Sequence, residues 1–86
     1  MKLEEKIRDI LVDEENTLSE KEKRELITFI ETVEFYSKMR VSRSLVYDET
    51  MGVIEYLRRT EKISENVKDN LYETLRQAAR IGGNEQ

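Results

Sequence analysis

Catalysis, metal binding and nucleic-acid readout each demand particular side chains, and this chain's supply is narrow. Its 86 residues include no His, Cys, Pro or Trp. That composition removes disulfide frameworks, thiolate or imidazole metal sites, and any nucleophile activated by His or Cys. Carboxylates, Tyr, Lys, Arg, Ser and Thr remain for acid–base work. Helix-borne carboxylates can bind paired iron ions, but such sites also use Glu-x-x-His. Asp13-Glu14-Glu15-Asn16 has the acidity of a calcium loop. It lacks the alternating ligands, the central Gly and the closing bidentate Glu, so it reads as a solvated helix end. No Gly-rich phosphate cradle exists either. The expectation is a chain that is not an enzyme and holds neither a cofactor nor a metal.

Binding chemistry has more candidates. Val41-Ser42-Arg43-Ser44-Leu45 leads into a helix ending Leu57-Arg58-Arg59, a pattern that could present Ser42, Arg43 and Ser44 to base edges. The preceding helix is acidic and lacks the small residues and Gly of a helix-turn-helix, and a net charge of -4 opposes phosphate association. No nucleic acid is expected, and capping serines with solvated arginines are the plainer reading. Tyr72, Arg76 and Arg80 follow one another at i+4 spacing, outside the apolar stripe of their helix. Phe35 falls opposite the Leu26–Ile30–Val33 stripe, among Thr28, Glu31 and Thr32. In the ordinary arrangement, helix one or the 37–44 connection covers Phe35, and Tyr72 is an amphipathic side chain under Arg76. Failing that, these four residues are partner contacts, since Tyr, Phe and Arg carry interface energy disproportionately.

Apolar spacing locates the elements that must position them. Leu3, Ile7, Ile10 and Leu11 give a first helix over 3–14, stopped by the acids at 13–16. Ser19-Glu20-Lys21-Glu22 is a capping box and opens a second helix, 19–38, which buries Leu26, Phe29, Ile30, Val33 and Tyr36. The pattern lapses over 37–44, although nothing there forbids one continuous rod. Ser42 or Ser44 caps a third helix, 44–60, with Val46, Val53, Ile54 and Leu57 inward. Ser64 caps a fourth, 64–81, whose stripe is Val67, Leu71, Leu75, Ala78 and Ile81, with Gly82 as its left-handed stop. No window alternates with period two. Four amphipathic helices on short connections predict an all-α, antiparallel up-down four-helix bundle over 1–82 with a flexible tail at 83–86.

Helix three is apolar over a wide arc. Leu45, Gly52 and Tyr56 line one flank, Tyr47 and Met51 the other, and Asp48, Glu55 and Arg59 face solvent. Either it is the most buried helix, with a neighbour closing on Gly52, or one flank is a dimer or partner surface; burial is the expectation. Residues 1–37 carry six basic and eleven acidic side chains, whereas 38–86 carry nine and eight, so the first half is an acidic, solvating surface. No apolar run reaches the ~18 residues of a membrane span, and the first helix lacks the apolar core of a signal peptide. A cytoplasmic monomer or weak homodimer is expected, and a single domain this small buries only roughly 60% of its unfolded surface.

The order of these features resembles the small immunity proteins that protect lactic-acid and streptococcal bacteria from pediocin-like (class IIa) bacteriocins. The resemblance runs over most of the chain. It comprises a short first helix ending Ile10-Leu11-Val12-Asp13, then Leu18-Ser19 opening a Glu/Lys-rich second helix. Val41, Leu45 and Val46 lead into the third, and Ile63-Ser64 precedes Val67-Lys68-Asp69-Asn70-Leu71-Tyr72-Glu73-Thr74-Leu75. It implies an antiparallel four-helix bundle without enzymatic activity, acting inside the cell at the inner face of the membrane. Its implied partner is the mannose-permease receptor once bacteriocin has engaged it. In that family the last helix and tail govern which bacteriocin is resisted, which here implies Tyr72, Arg76, Arg80 and the Gly82–Gln86 tail. Such proteins tend to be basic with an aromatic or basic tail, whereas this chain is acidic and ends Gly82-Gly83-Asn84-Glu85-Gln86. The alternative is a small phage or host regulator that binds and inhibits a protein partner, with a DNA-binding regulator using 42–59 further behind.

Overall fold

The Ser19 backbone amide donates to Glu22 Oε1 at 2.9 Å and the Glu22 amide donates to Ser19 Oγ at 3.1 Å, so the capping box closes in both directions. It begins the second of four helices: α1 (Leu3–Leu11), α2 (Glu20–Met39), α3 (Ser44–Arg59) and α4 (Glu65–Arg80). The structure, a computed structural model, describes residues 2–12, 17–39, 42 and 44–80, and no strand occurs among them. The expected acidic stop at 13–16, Val41, Arg43, the inward Ile81, the Gly82 stop and the tail at 83–86 lie outside the described residues.

Ser64 caps α4, accepting from the Val67 amide at 3.1 Å. α1 is shorter than its spacing predicts. It ends at Leu11, with Val12 taking the cap and its amide turning back to Asp9 O at 3.4 Å. α2 and α3 are separate helices, and α3 starts on Ser44 itself, so Ser44 sits inside the helix rather than at its cap. Between α3 and α4 the chain makes a turn that no Gly announces. The Lys62 amide reaches Leu57 O at 2.8 Å and the Glu61 amide reaches Arg58 O at 3.0 Å, while Glu61 takes φ 62°. This is a Schellman closure with glutamate at the left-handed position.

Cross-helix pairs fix the directions. Arg58 pairs with Glu65 at 2.9 Å and Glu55 with Tyr72, so indices rise on α4 as they fall on α3 and the two run antiparallel. Ser37 Oγ donates to Ala79 O at 3.1 Å, joining the C-terminal ends of α2 and α4, which are therefore parallel. α2 and α4 form the central pair; α1 packs on both from one side and α3 on both from the other, and α1 and α3 do not meet. This is the expected up-down bundle. Ile7 and Leu11 of α1, Leu26, Ile30 and Val33 of α2, Ile54 and Leu57 of α3, and Val67, Leu71, Leu75 and Ala78 of α4 fill the core, as their spacing predicts. At nine residues α1 is too short to be stable alone, and those two buried side chains hold it. Thr17 N–H to Lys62 O at 2.9 Å and Lys62 to Glu22 at 3.1 Å fasten the α1–α2 connection and the start of α2 to the α3–α4 turn.

Three burial expectations fail. Phe29 is only half-buried, because it lines an open groove with Lys21, Arg24, Glu25, Thr28, Thr32 and Val46. Tyr36 is exposed; Ile27 and Ser37 take the inward places instead. The third concerns α3. Its outward flank is in solvent, with Leu45 73% and Tyr56 54% exposed and Gly52 exposed between them. A Cβ at Gly52 would meet nothing within 4 Å, so no helix closes on it. α3 instead buries Thr50, whose Oγ1 returns to Val46 O at 2.7 Å. No helix of the described residues is long and apolar enough to cross a membrane.

Candidate functional site

The bundle does not gather the four sequence-predicted contact residues at one place. Phe35 stands on α2 opposite the side chains that face α4, 57% exposed, so neither α1 nor any other described element covers it. Its ring lies 6.1 Å from that of Tyr36 at a 49° tilt, and Met39, also 57% exposed, follows one turn on. These three make an apolar patch at the C-terminal end of α2. Sequence reasoning misses Tyr36 and Met39 as contacts, because Tyr36 reads as a core position and Met39, at i+4 from Phe35, falls where the apolar pattern lapses.

Tyr72, Arg76 and Arg80 share α4 but not one role. Tyr72 is half-buried, and its hydroxyl donates to the Glu55 carboxylate of α3. Burial, and then that acceptor, push its pKa up to about 12 from an ordinary value of 10.0. Lys68 Nζ lies 5.8 Å from the centre of the ring, so the cation over Tyr72 is Lys68 and not Arg76. Lys68 is itself tied to Glu65 at 2.7 Å. Tyr72 is therefore a clasp between α3 and α4. Its partner Glu55 is 17 positions away in the chain, out of reach of any local motif.

Arg76 and Arg80 line an open groove of about 680 Å³ where the end of α4 meets the start of α3. Ser42, Ser44 and Tyr47 complete one wall, Glu73 and the buried Ala79 the other. Arg76 donates to Glu73 within α4 and holds that carboxyl below its ordinary range. Arg80 forms no ion pair among the described residues. The groove joins an aromatic wall to two guanidiniums, Arg76 bonded to Glu73 and Arg80 acting on the same carboxylate through charge alone, an arrangement suited to a carboxylate beside an apolar side chain. Antiparallel pairing of α3 and α4 creates it, and that pairing is the only signal that could have linked Tyr47 to Arg80.

Of the residues proposed to read bases, Ser42 and Ser44 are exposed, and Arg43 lies outside the described residues. The exposed face of α3 that follows carries Asp48, Glu49 and Glu55 against Arg59, an acidic balance that opposes phosphate. No group of three or more His, Cys, Asp or Glu among the described residues is placed to hold a metal ion. Compared with known proteins, the chain matches no family model, no curated protein and no solved structure.

Proposed function

We propose that this chain is a non-catalytic helical bundle that acts by binding another protein, and that it protects a producing cell as an immunity protein against a pediocin-like bacteriocin. The observation that carries the reading is the groove between the end of α4 and the start of α3, where Arg80, which forms no ion pair among the described residues, lies with Tyr47 in the lining. It falls on the helix that the resemblance makes responsible for recognition. Tyr72 supports the site from below by clasping α4 to α3; Arg76 and Arg80 make the contact. The action is in the cytoplasm, against a bacteriocin-engaged membrane receptor.

The test is survival of a sensitive streptococcal or lactic-acid strain that expresses the chain and is challenged with a panel of pediocin-like bacteriocins. Selective protection against one or two, lost in the Arg76→Ala/Arg80→Ala double variant, supports the reading. Killing across the panel with soluble protein in the cells counts against immunity. Protection that survives the double variant removes the groove. If immunity fails, a regulator that inhibits a protein partner through the same groove becomes the better account.

A further inference from the structure

Acidic residues recur along the whole chain except in two places. Residues 35–47 are thirteen positions without an acid and 74–84 are eleven, whereas no other stretch between acids exceeds five. The two runs hold five of the fifteen bases, a balance of +5, and leave -9 on the rest. The fold brings both runs to one end of the bundle. Ser37 Oγ donates to Ala79 O across them, and Ser42, Ser44 and Tyr47 share a groove with Arg76 and Arg80. The last turn of α2 carries Lys38, the last turn of α4 carries Arg80, and the first turn of α3 holds no acid. Exposed apolar side chains stand at the same end: Leu45 on the first turn of α3, and Phe35, Tyr36 and Met39 on the last turns of α2. The neighbouring acids are set back. At ~1.5 Å rise per residue, Asp48 and Glu49 lie about 6 and 7.5 Å into α3, Glu34 about 7.5 Å before the end of α2, and Glu73 about 10.5 Å before that of α4. Glu34 is also paired with Lys38, and Glu73 with Arg76. Glu85, which closes the second run, lies outside the described residues.

We infer that this end of the bundle docks on an anionic lipid surface. Charge complementarity selects the occupant: a negative plane approaching end-on meets Lys38 and Arg80 first, with the acids a turn or more behind and partly screened. The apolar side chains separate a bilayer from other polyanions. Met39 and Leu45 are aliphatic and have no base to stack on, and Asp48 and Glu49 oppose a nucleic acid laid along α3. Phe35, Tyr36, Met39 and Leu45 come from two helices and line neither groove, so they form a convex patch with no seat for one protruding partner side chain. A bilayer interface accepts such a patch. Met39 and Leu45 enter the acyl boundary, Phe35 and Tyr36 lie at headgroup level, and Lys38 and Arg80 meet lipid phosphates. No helix of the described residues is long and apolar enough to cross a membrane, and the contact is at its surface. This inference does not rest on the proposed function.

Purified protein and vesicles alone provide the test, with neither bacteriocin nor receptor present. In about 0.1 M salt the wild type cosediments with vesicles of equal parts phosphatidylglycerol and phosphatidylcholine, and not with phosphatidylcholine alone. Raising salt to about 0.5 M weakens the binding at least tenfold. Lys38→Glu, a change of two charges, weakens it about thirtyfold. Phe35→Ser/Met39→Ser, at two exposed positions that the core does not use, weakens it about tenfold. Lys21→Ala/Arg24→Ala removes two charges from the opposite end and leaves binding within about twofold. The chain has no Trp, so an introduced one reports depth directly. Emission of Leu45→Trp shifts to the blue on vesicles, and that of Tyr56→Trp, exposed near the far end of α3, does not. Four results would each overturn the inference. One is a wild type that ignores the anionic vesicles, as expected if an acidic protein is the occupant. Another is a loss in Lys21→Ala/Arg24→Ala as large as in Lys38→Glu, which would make net charge the cause. The third is a blue shift of Tyr56→Trp equal to that of Leu45→Trp. The fourth is a single-stranded oligonucleotide that displaces the vesicles.

Discussion

The Tyr72 hydroxyl illustrates how one side chain holds two helices in register. Its proton is shared toward a carboxylate, and its ring is covered by the cation that Glu65 anchors. Ionising the phenol would place a second negative charge against Glu55 in a half-buried site, which is why its pKa rises to about 12. A group whose folded pKa lies above its unfolded value contributes stability that is whole below the unfolded value and is lost as pH climbs through the folded one. The relevant window is therefore from about pH 10 to about pH 12. Titrated by tyrosinate absorbance, Tyr72→Phe should lose, relative to wild type, an ionisation near pH 12. A wild-type minus variant difference centred near the ordinary value of 10.0 would sink the clasp. Sequence pointed to Tyr72 but assigned it the wrong neighbour. The i+4 rule names Lys68 and Arg76 equally, and only the α3–α4 pairing, with Glu55 drawing the hydroxyl, decides between them.

Helix boundaries divide into those with chemistry of their own and those set from outside. The starts of α2 and α4 were legible because a serine cap is a local hydrogen bond, complete within four residues. Replacing Ser19 by Ala should cost about 1 kcal/mol in chemical denaturation, with the slope of the transition unchanged. A loss of under a few tenths would mean the box contributes nothing in the folded chain. The end of α3 was not legible in this way. Glu61 adopts φ 62° with a side chain that disfavours it, because the buried Ile63 and the straps at Thr17 and Lys62 pull the chain into the turn. Glu61→Gly should therefore raise stability by about 1 kcal/mol, seen as a higher denaturation midpoint; a fall would show that the left-handed turn is not formed. Ser37 marks the opposite end of the same problem. It looked like part of a lapsed pattern, yet its buried hydroxyl donates to Ala79 O in the last turn of α4 and so ties the two helix ends together. The width of an apolar arc, which made α3 look most buried, says how much surface a helix offers and not how many neighbours come to cover it.

For the molecule as a whole, the ion pairs decide how it responds to acid. Glu20 is held below the ordinary carboxylate value by the Arg8 side chain, and Glu22 by the Ser19 amide and then Lys62. Lys68 and Arg58 do the same for Glu65, and Arg76 for Glu73. Each folded carboxyl therefore binds its proton less readily than the unfolded one. Their stabilisation is complete above the ordinary value of 4.5 and is lost as pH falls through the depressed folded values. These groups lie at the surface, so each contributes little by itself. What they share is position: Glu20, Glu22 and Glu65 all fasten the end of the bundle where the α1–α2 connection meets the α3–α4 turn. Acid also neutralises nineteen carboxylates and leaves fifteen bases, turning a balance of -4 into a strong positive self-repulsion. The urea midpoint followed by far-UV circular dichroism should fall steadily from about pH 5 to about pH 3, more shallowly in Glu22→Gln. Salt separates the two causes. It should raise the midpoint near pH 3, where repulsion dominates, and change it little near neutrality, where exposed pairs are already screened. A midpoint that stays flat into acid would mean that the core alone, and none of these clasps, holds the four helices together.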